Sequence, residues 1–200
     1  MDAAVYDEVH EYWFGPLATL DSFPADRFPI WFGGGEAVDQ DITARFGAAL
    51  SAFAAGDRAE PATPMQIVGR IVLLDQFSRN IHRGKPETYA LDPLARRYAD
   101  EAIADGLERF KVVERPFVIL PLGHSEELAD QDRAVALIQA DILPYAPEGN
   151  RFYEGGRIQS VKYRDIIARF GRFPHRNAVL GRDSTAEETA FMATAKMSPF

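Results

Sequence analysis

Apolar residues recur along this chain at helical spacing, and there is no convincing strand alternation. Val5, Val9, Tyr12 and Trp13 predict a first amphipathic helix ending before Gly15-Pro16. Residues 15–38, carrying Pro16, Pro24, Pro29 and Gly33-Gly34-Gly35, predict a long ordered loop packed down by Phe23, Phe28, Trp31 and Phe32. The glycine run has no following Lys-Ser/Thr and no preceding strand, so it does not read as a phosphate loop. Ile42, Phe46, Leu50 and Phe53 place a helix over about 39–55, stopped at Gly56-Asp57.

Thr63-Pro64-Met65-Gln66 combines an N-cap hydroxyl, a first-position Pro and a third-position Gln. It opens a mostly buried helix over 63–78 with Ile67, Ile71 and Leu74 on one face. Residues 84–91 connect it to a helix capped at Asp92-Pro93, with Leu94, Tyr98 and Ala102 inward. The run Phe117-Val118-Ile119-Leu120 suits a strand by composition, but a lone strand would leave its backbone unpaired. A buried helix opening at Arg115-Pro116 and bent or ended by Pro121 is the expectation. Further helices are predicted over 127–143, ended by Pro144, and over 157–170, ended by Gly171, with 147–156 a loop between them. Ser184-Thr185-Ala186-Glu187 reads as a second capping box, opening a last helix that reaches about Ala195. The reading is one all-α domain, residues 1–200, of about eight helices packed as irregular antiparallel pairs.

Composition removes several classes of function. With no cysteine, disulfide scaffolds, thiolate metal sites and thiol nucleophiles are excluded. No apolar run is long enough to span a membrane, and the acidic start MDAAVYDEVHEYW is unlike a signal peptide, so a cytoplasmic protein without a membrane partner is expected. The net charge of −8 argues against a nucleic-acid partner. The charge is unevenly placed. Arg157, Lys162, Arg164, Arg169, Arg172, Arg176 and Arg182 stand against Asp165 alone, whereas Glu126, Glu127, Asp130, Asp132 and Asp141 stand against Arg133. The two segments can neutralise each other across the fold. The basic one, with Phe170 and Phe173, is the only feature that would suit RNA.

Three polar islands interrupt otherwise buried segments: Asp75-Gln76-Phe77-Ser78-Arg79-Asn80 with His82; His124-Ser125-Glu126; and Asp165 through Arg169 into Arg172, His175, Arg176 and Asn177. Asp75 lies four residues before Arg79, and Asp165 four before Arg169, one helical turn apart in each case. Such a pair either ties down a helix end or orients the Arg so that its other donors face a ligand. Two such ends meeting would form a cationic hollow for a carboxylate or phosphate, with Arg79, Asn80, Arg172, His175, Arg176 and Asn177 as contacts and Asp75 and Asp165 as orienters. Arg forks also cap helix ends, so the same residues can be scaffold. His10, His82, His124 and His175 are never within four residues of one another and no HExxH or HxxEH occurs, so neither a metal nor any other cofactor is expected. Ser125 lacks a nucleophile elbow and reads as an N-cap. For acid–base chemistry the candidates are His124 with Glu126, and His175 beside Arg172 and Arg176, which would keep it neutral.

Long stretches of the chain resemble a bacterial family of unknown function, domain-of-unknown-function 924. They are Tyr12-Trp13-Phe14-Gly15, the WFGG of Trp31 to Gly34, LLDQFSRNIHRG from Leu73 to Gly84, PLGHSEELADQDRAV from Pro121 to Val135, and DIIARFGRFPHRNAVLGRDST from Asp165 to Thr185. Gly123 departs from the Glu or Met common in the family at that position. The resemblance implies a tetratricopeptide-repeat-like helical superhelix, although no clean period of about 34 residues is legible, and it implies no established activity. The leading expectation is a helical binding or adaptor protein with an Arg-rich concave site for an anionic small molecule or peptide carboxylate. The alternative is a metal-independent enzyme acting on a small phosphate or carboxylate compound with a His general base.

Overall fold

The computed structural model describes residues 1–32 and 35–194, so Gly33, Gly34 and Ala195 lie outside it. Among the described residues every regular element is helical. The longer ones are α1 (Ala4–Phe14), α2 (Phe28–Phe32), α3 (Gly35–Ala54), α4 (Pro64–Val72), α5 (Ser78–Ile81), α6 (Asp92–Ala104), α7 (Arg115–Gly123), α8 (Leu128–Leu137), α9 (Arg151–Phe170) and α10 (Ala186–Thr194). A π-helical turn, Leu73–Phe77, joins α4 to α5, and a second, Ile138–Ile142, extends α8.

Packing follows the apolar faces. From α6 to α9 each helix lies on its chain neighbour, whereas α1 lies mainly on α4, and α3 on α5 and the first π turn. The seat of α1 on α4 is so close that a Cβ on Gly69 would stand 2.0 Å from the Tyr6 carbonyl oxygen. Between these layers sits an aromatic centre. The ring of Trp13 meets Phe77 at 5.6 Å and Phe117 at 5.8 Å, and Phe46 meets Phe77 at 4.9 Å, mostly edge-on or tilted as ring quadrupoles prefer.

Several boundaries differ from the sequence reading, each for a visible reason. The predicted loop before the second helix contains α2 and the first turn of α3, because Phe28, Trp31 and Phe32 pack at helical spacing against Phe152. The predicted loop over 147–156 is half helix: Asn150 caps α9 by accepting from the Phe152 amide at 3.0 Å, and the helix runs straight through Gly155-Gly156. Helix α7 continues two residues beyond Pro121. Asp92 is not a side-chain cap, since its carboxylate is taken by Arg79. The C-terminal capping box is one residue later than read: Thr185 Oγ1 accepts from the Glu188 amide at 3.1 Å, and Glu188 Oε2 accepts from the Thr185 amide at 2.8 Å. Thr63 Oγ1 accepts from the Gln66 amide as expected, while the Gln66 side chain reaches back to the Ala62 amide.

Candidate functional site

The first π turn organises the site. A π turn adds one residue to the helix, which rotates everything downstream by about 100° and weakens the backbone ladder where it inserts. Here side chains take the loosened carbonyls: Ser78 Oγ donates to Leu74 O at 2.5 Å, and Arg79 Nη1 donates to Asp75 O at 2.6 Å. The second π turn is held similarly, with Arg115 Nη1 donating to Asp141 O at 2.8 Å. The consequence at the first turn is that Asp75 points inward while Gln76, Arg79, Asn80 and Arg83 face one cavity.

Asp75 is fully buried and accepts at Oδ1 from His124 Nδ1 at 2.7 Å, at Oδ2 from Gln76 Nε2 at 2.6 Å, and lies 3.2 Å from Arg79 Nη1. Burial pushes its carboxyl up, but Arg79 and His124 outweigh that and hold it well below the usual carboxylate range. An ionised carboxylate only accepts, so Nδ1 of His124 carries the proton. Burial, helped by Arg79, lowers the imidazole's own affinity for a second proton, against the opposing pull of Asp75. His124 is therefore a neutral imidazole protonated at Nδ1. Arg79 in turn forks onto Asp92, Nη1 to Oδ1 and Nη2 to Oδ2, both at 3.0 Å, and Arg176 Nη1 approaches Asp92 Oδ2 at 3.7 Å. Two carboxylates and two guanidiniums thus balance within the interior, as buried charges must.

The cavity that His124 and Arg79 line has a volume of about 1400 Å³. Its walls come from α2, the start of α3, the first π turn with α5, α7, α8 with the second π turn, α9 and α10. At one end the aromatic rings of Trp31, Phe117 and Phe152 gather, with Trp31 5.1 Å from Phe117 and 5.4 Å from Phe152. At the other lie Gln76, Arg79, Asn80, His124 and Tyr163, whose phenol is pushed up by burial. Asp39, also in the wall, accepts from Asn80 Nδ2 at 2.8 Å and from Arg83 Nε at 2.6 Å. Among the described residues no group of three His, Asp or Glu could hold a metal ion, and no helix is long and apolar enough to cross a membrane.

The model of the bacterial protein family of unknown function DUF924 matches residues 9–196. The chain belongs to that family. A solved structure of a protein of unknown function from Agrobacterium tumefaciens is similar to it, with 32% identity and a TM-score of 0.76, covering 97% of this chain and 100% of that one. Comparison with curated proteins gives no match. The DUF924 fold is thus that of this structure, and neither similarity carries an activity.

The residues singled out in the sequence separate into two groups within the DUF924 fold. Arg79, Asn80, His124, Asp165 and Arg169 line the cavity and Asp75 backs it. Asp165 and Arg169 are not partners of each other: Arg164 approaches Asp165 at 3.4 Å, and Arg169 binds Glu187. The remaining residues lie outside the cavity wall. Arg172 forks onto Glu188, Asn177 donates to Ser184 and Glu188, and Arg176 is buried against Tyr89 and Phe173. His175 is brought down to about 4, first by burial and then by Arg176, with no part played by Arg172. Glu126 does not pair with His124. It accepts from Arg182 at 2.6 Å and from the Phe173 amide at 2.8 Å, and its carboxyl is held low by those bonds despite burial. Ser125 is not the N-cap of α8, a position held by Glu127; its hydroxyl accepts from the Glu127 amide and from Arg96. The acidic and basic segments do meet, in Arg182 with Glu126 and Arg164 with Asp132. Sequence reasoning missed Gln76 as a wall residue, and with it Trp31, Gln159, Lys162 and Tyr163. The α9 residues among these were legible as a face at helical spacing with Phe152, Gly156 and Ile166, had the helix been started at residue 151. A second buried pair, His10 Nε2 with Glu114 Oε1 at 2.6 Å, ties α1 to the start of α7.

Proposed function

We propose that this protein is a metal-independent acid–base enzyme that holds a small organic anion in the cleft between α5, α7 and α9, with His124 as general base and Asp75 as its positioning residue. One observation carries the reading: a buried pair joins His124 in the cavity wall to Asp75 behind it on a π turn, the kind of helical irregularity found often at functional sites. A neutral imidazole hydrogen-bonded through Nδ1 to a carboxylate can accept a proton at Nε2, and the resulting imidazolium is stabilised by that carboxylate. Charge on the walls supports an anionic substrate through Arg151 and Lys162, since Arg79 is already paired with Asp75 and Asp92, Arg83 with Asp39, and Arg169 with Glu187. The absence of cysteine supports a reducing, cytoplasmic setting.

The second reading is binding without catalysis, with Arg79 and Asn80 as anchors in a tetratricopeptide-like groove for a peptide carboxylate; the length of the cleft along the 20 residues of α9 favours it. Nitrogen-15 NMR of the histidines separates the two. The enzyme reading requires His124 to be neutral, protonated at Nδ1 and hydrogen-bonded to Asp75 at pH 7. A doubly protonated ring, or the Nε2–H tautomer, overturns it. Turnover of any phosphate or carboxylate compound from a metabolite panel should then vanish in His124→Gln while the compound is still bound, and loss of binding with retained turnover in the same variant would equally defeat it.

A further inference from the structure

The cleft is two-sided along its length, and that restricts what can fill it. Phe117 in α7 stands at one end of the cavity and His124, the C-cap of that helix, at the other, seven residues and about 10 Å apart along the axis. Alongside it, Phe152 at the start of α9 stacks on Phe117 at 6.2 Å, and Tyr163, eleven residues on, feels the charges of Arg79 and Asp75. Aromatic rings therefore mark one end and the acid–base pair the other. Between them α9 carries Gly155 and Gly156, both in the cavity wall, where an added Cβ would meet nothing within 4 Å. Two adjacent glycines inside a helix cost it stability, and no close packing of the fold asks for them. What they leave is open, solvent-facing space about one turn along α9 from Phe152 and two turns before Tyr163.

We infer that the ligand is an amphipathic organic anion, a carboxylate or phosphate joined to an acyl or aromatic body long enough to reach from the His124 end to the Trp31–Phe117–Phe152 end across Gly155-Gly156. This rests on the proposed function for the identity of the cleft and deepens it by naming the substrate class. A small polar anion would leave the aromatic end wet and gain nothing from it. An uncharged chain would forgo Lys162, the wall cation beside Tyr163 at the His124 end.

The protein carries its own reporter. Trp13 and Trp31, the only two tryptophans in the chain, both line this cavity. Titration with acetate, hexanoate, decanoate and decylammonium, followed by tryptophan emission, should give saturable binding for the longer carboxylates. Affinity should rise by about three- to fourfold per added methylene until the apolar end is filled. Gly156→Leu places a side chain in the open space without strain and improves helix propensity, so it should keep the melting temperature and weaken decanoate at least about tenfold. Equal binding of acetate and decanoate would remove the apolar subsite. Decylammonium binding as tightly as decanoate would remove the preference for an anion. Unchanged decanoate affinity in Gly156→Leu would move the ligand out of this cleft. His124→Gln separates this inference from the catalytic one: decanoate should bind the variant within about threefold of wild type, whatever the tautomer of His124 proves to be. A greater loss would mean that the anion is held by the imidazole and not by the cleft walls, against the arrangement inferred here.

Discussion

Replacing Asp75 by Asn tests the buried charge arrangement on which the site stands. The substitution keeps the side chain's shape, and Asn can still accept from His124 Nδ1, so what is lost is one negative charge. In the wild type Asp75 and Asp92 oppose Arg79 and Arg176, whose side chains are 4% and 5% exposed. After substitution two guanidiniums share Asp92 alone, 3.0 Å from one and 3.7 Å from the other. Leaving a buried charge uncompensated costs about 3–5 kcal/mol, and the retained hydrogen bond puts the expectation near 3 kcal/mol, a large part of the 5–15 kcal/mol typical of a whole domain. Arg79→Met in the same chain restores the balance, because Asp92 then faces Arg176 only. The double variant should be more stable than the sum of the two single changes by about 2 kcal/mol. Urea unfolding followed by far-UV circular dichroism at pH 7 measures all three, with the slope m checking that the unfolded state has not changed. Asp75 also sets an acid limit. Its folded-state affinity for protons is depressed, so its contribution is full above the unfolded value near pH 3.8 and is lost as pH falls further. Asp75→Asn should flatten that limb. A single-variant cost under about 1 kcal/mol, or additivity within about 0.5 kcal/mol, would refute the charge-balance argument.

Three further expectations follow from particular contacts. Gly69→Ala drives a methyl group to 2.0 Å from the Tyr6 carbonyl, so α1 and α4 must separate; destabilisation near the upper end of overpacking, about 3 kcal/mol, should appear in thermal melts. Ser78→Ala removes the hydroxyl on Leu74 O inside the π turn and should cost about 1–2 kcal/mol, with faster amide exchange over residues 73–78 as the signature. Acidification should weaken the fold before the carboxylates titrate. His175 is depressed to about 4 in the folded state, so below pH 6.5 the unfolded chain binds the extra proton and the folded one does not. Allowing for the ring's partial exposure, about 1 kcal/mol should be lost between pH 6.5 and 5, and His175→Gln should reduce that slope, as measured by urea midpoints across the range.

Legibility tracked the range of the interactions. The face Ile67, Ile71, Leu74 and the Thr63 cap were readable because a helix writes its inward side and its start into neighbouring residues. The ion pair of Asp75 with Arg79 was readable for the same reason. Its real partners were not: His124 is 49 positions away and Asp92 is 13 from Arg79, and nothing local marks either meeting. The π turn was invisible because one extra residue leaves the apolar spacing nearly intact while turning the polar side chains onto a different surface. Gly155-Gly156 reads as a break by propensity, yet the helix persists because Phe152 and Tyr153 before it, and Ile166 and Ile167 after it, are packed into the body. Arg172, Arg176 and Asn177 looked like ligand contacts because the sequence shows how many donors they bring and not that Glu188 and Asp92 would take them.

The segment around Arg172 to Arg182 carries a consequence for how the molecule is made. Asp92 and Glu126 belong to the middle of the chain, but Arg176 and Arg182 leave the ribosome some eighty and fifty residues after them, at about 5–20 residues per second. Until they arrive, Arg79 alone must serve two interior carboxylates, and Glu126 and the Phe173 backbone have no clamp. The nascent helices can therefore collapse early but gain their final electroneutral interior only when the last stretch docks. A stall or a truncation near residue 170 should accordingly yield a chain of nearly full helical content that stays soft at the cleft, because the part still missing supplies countercharge to the centre of the molecule.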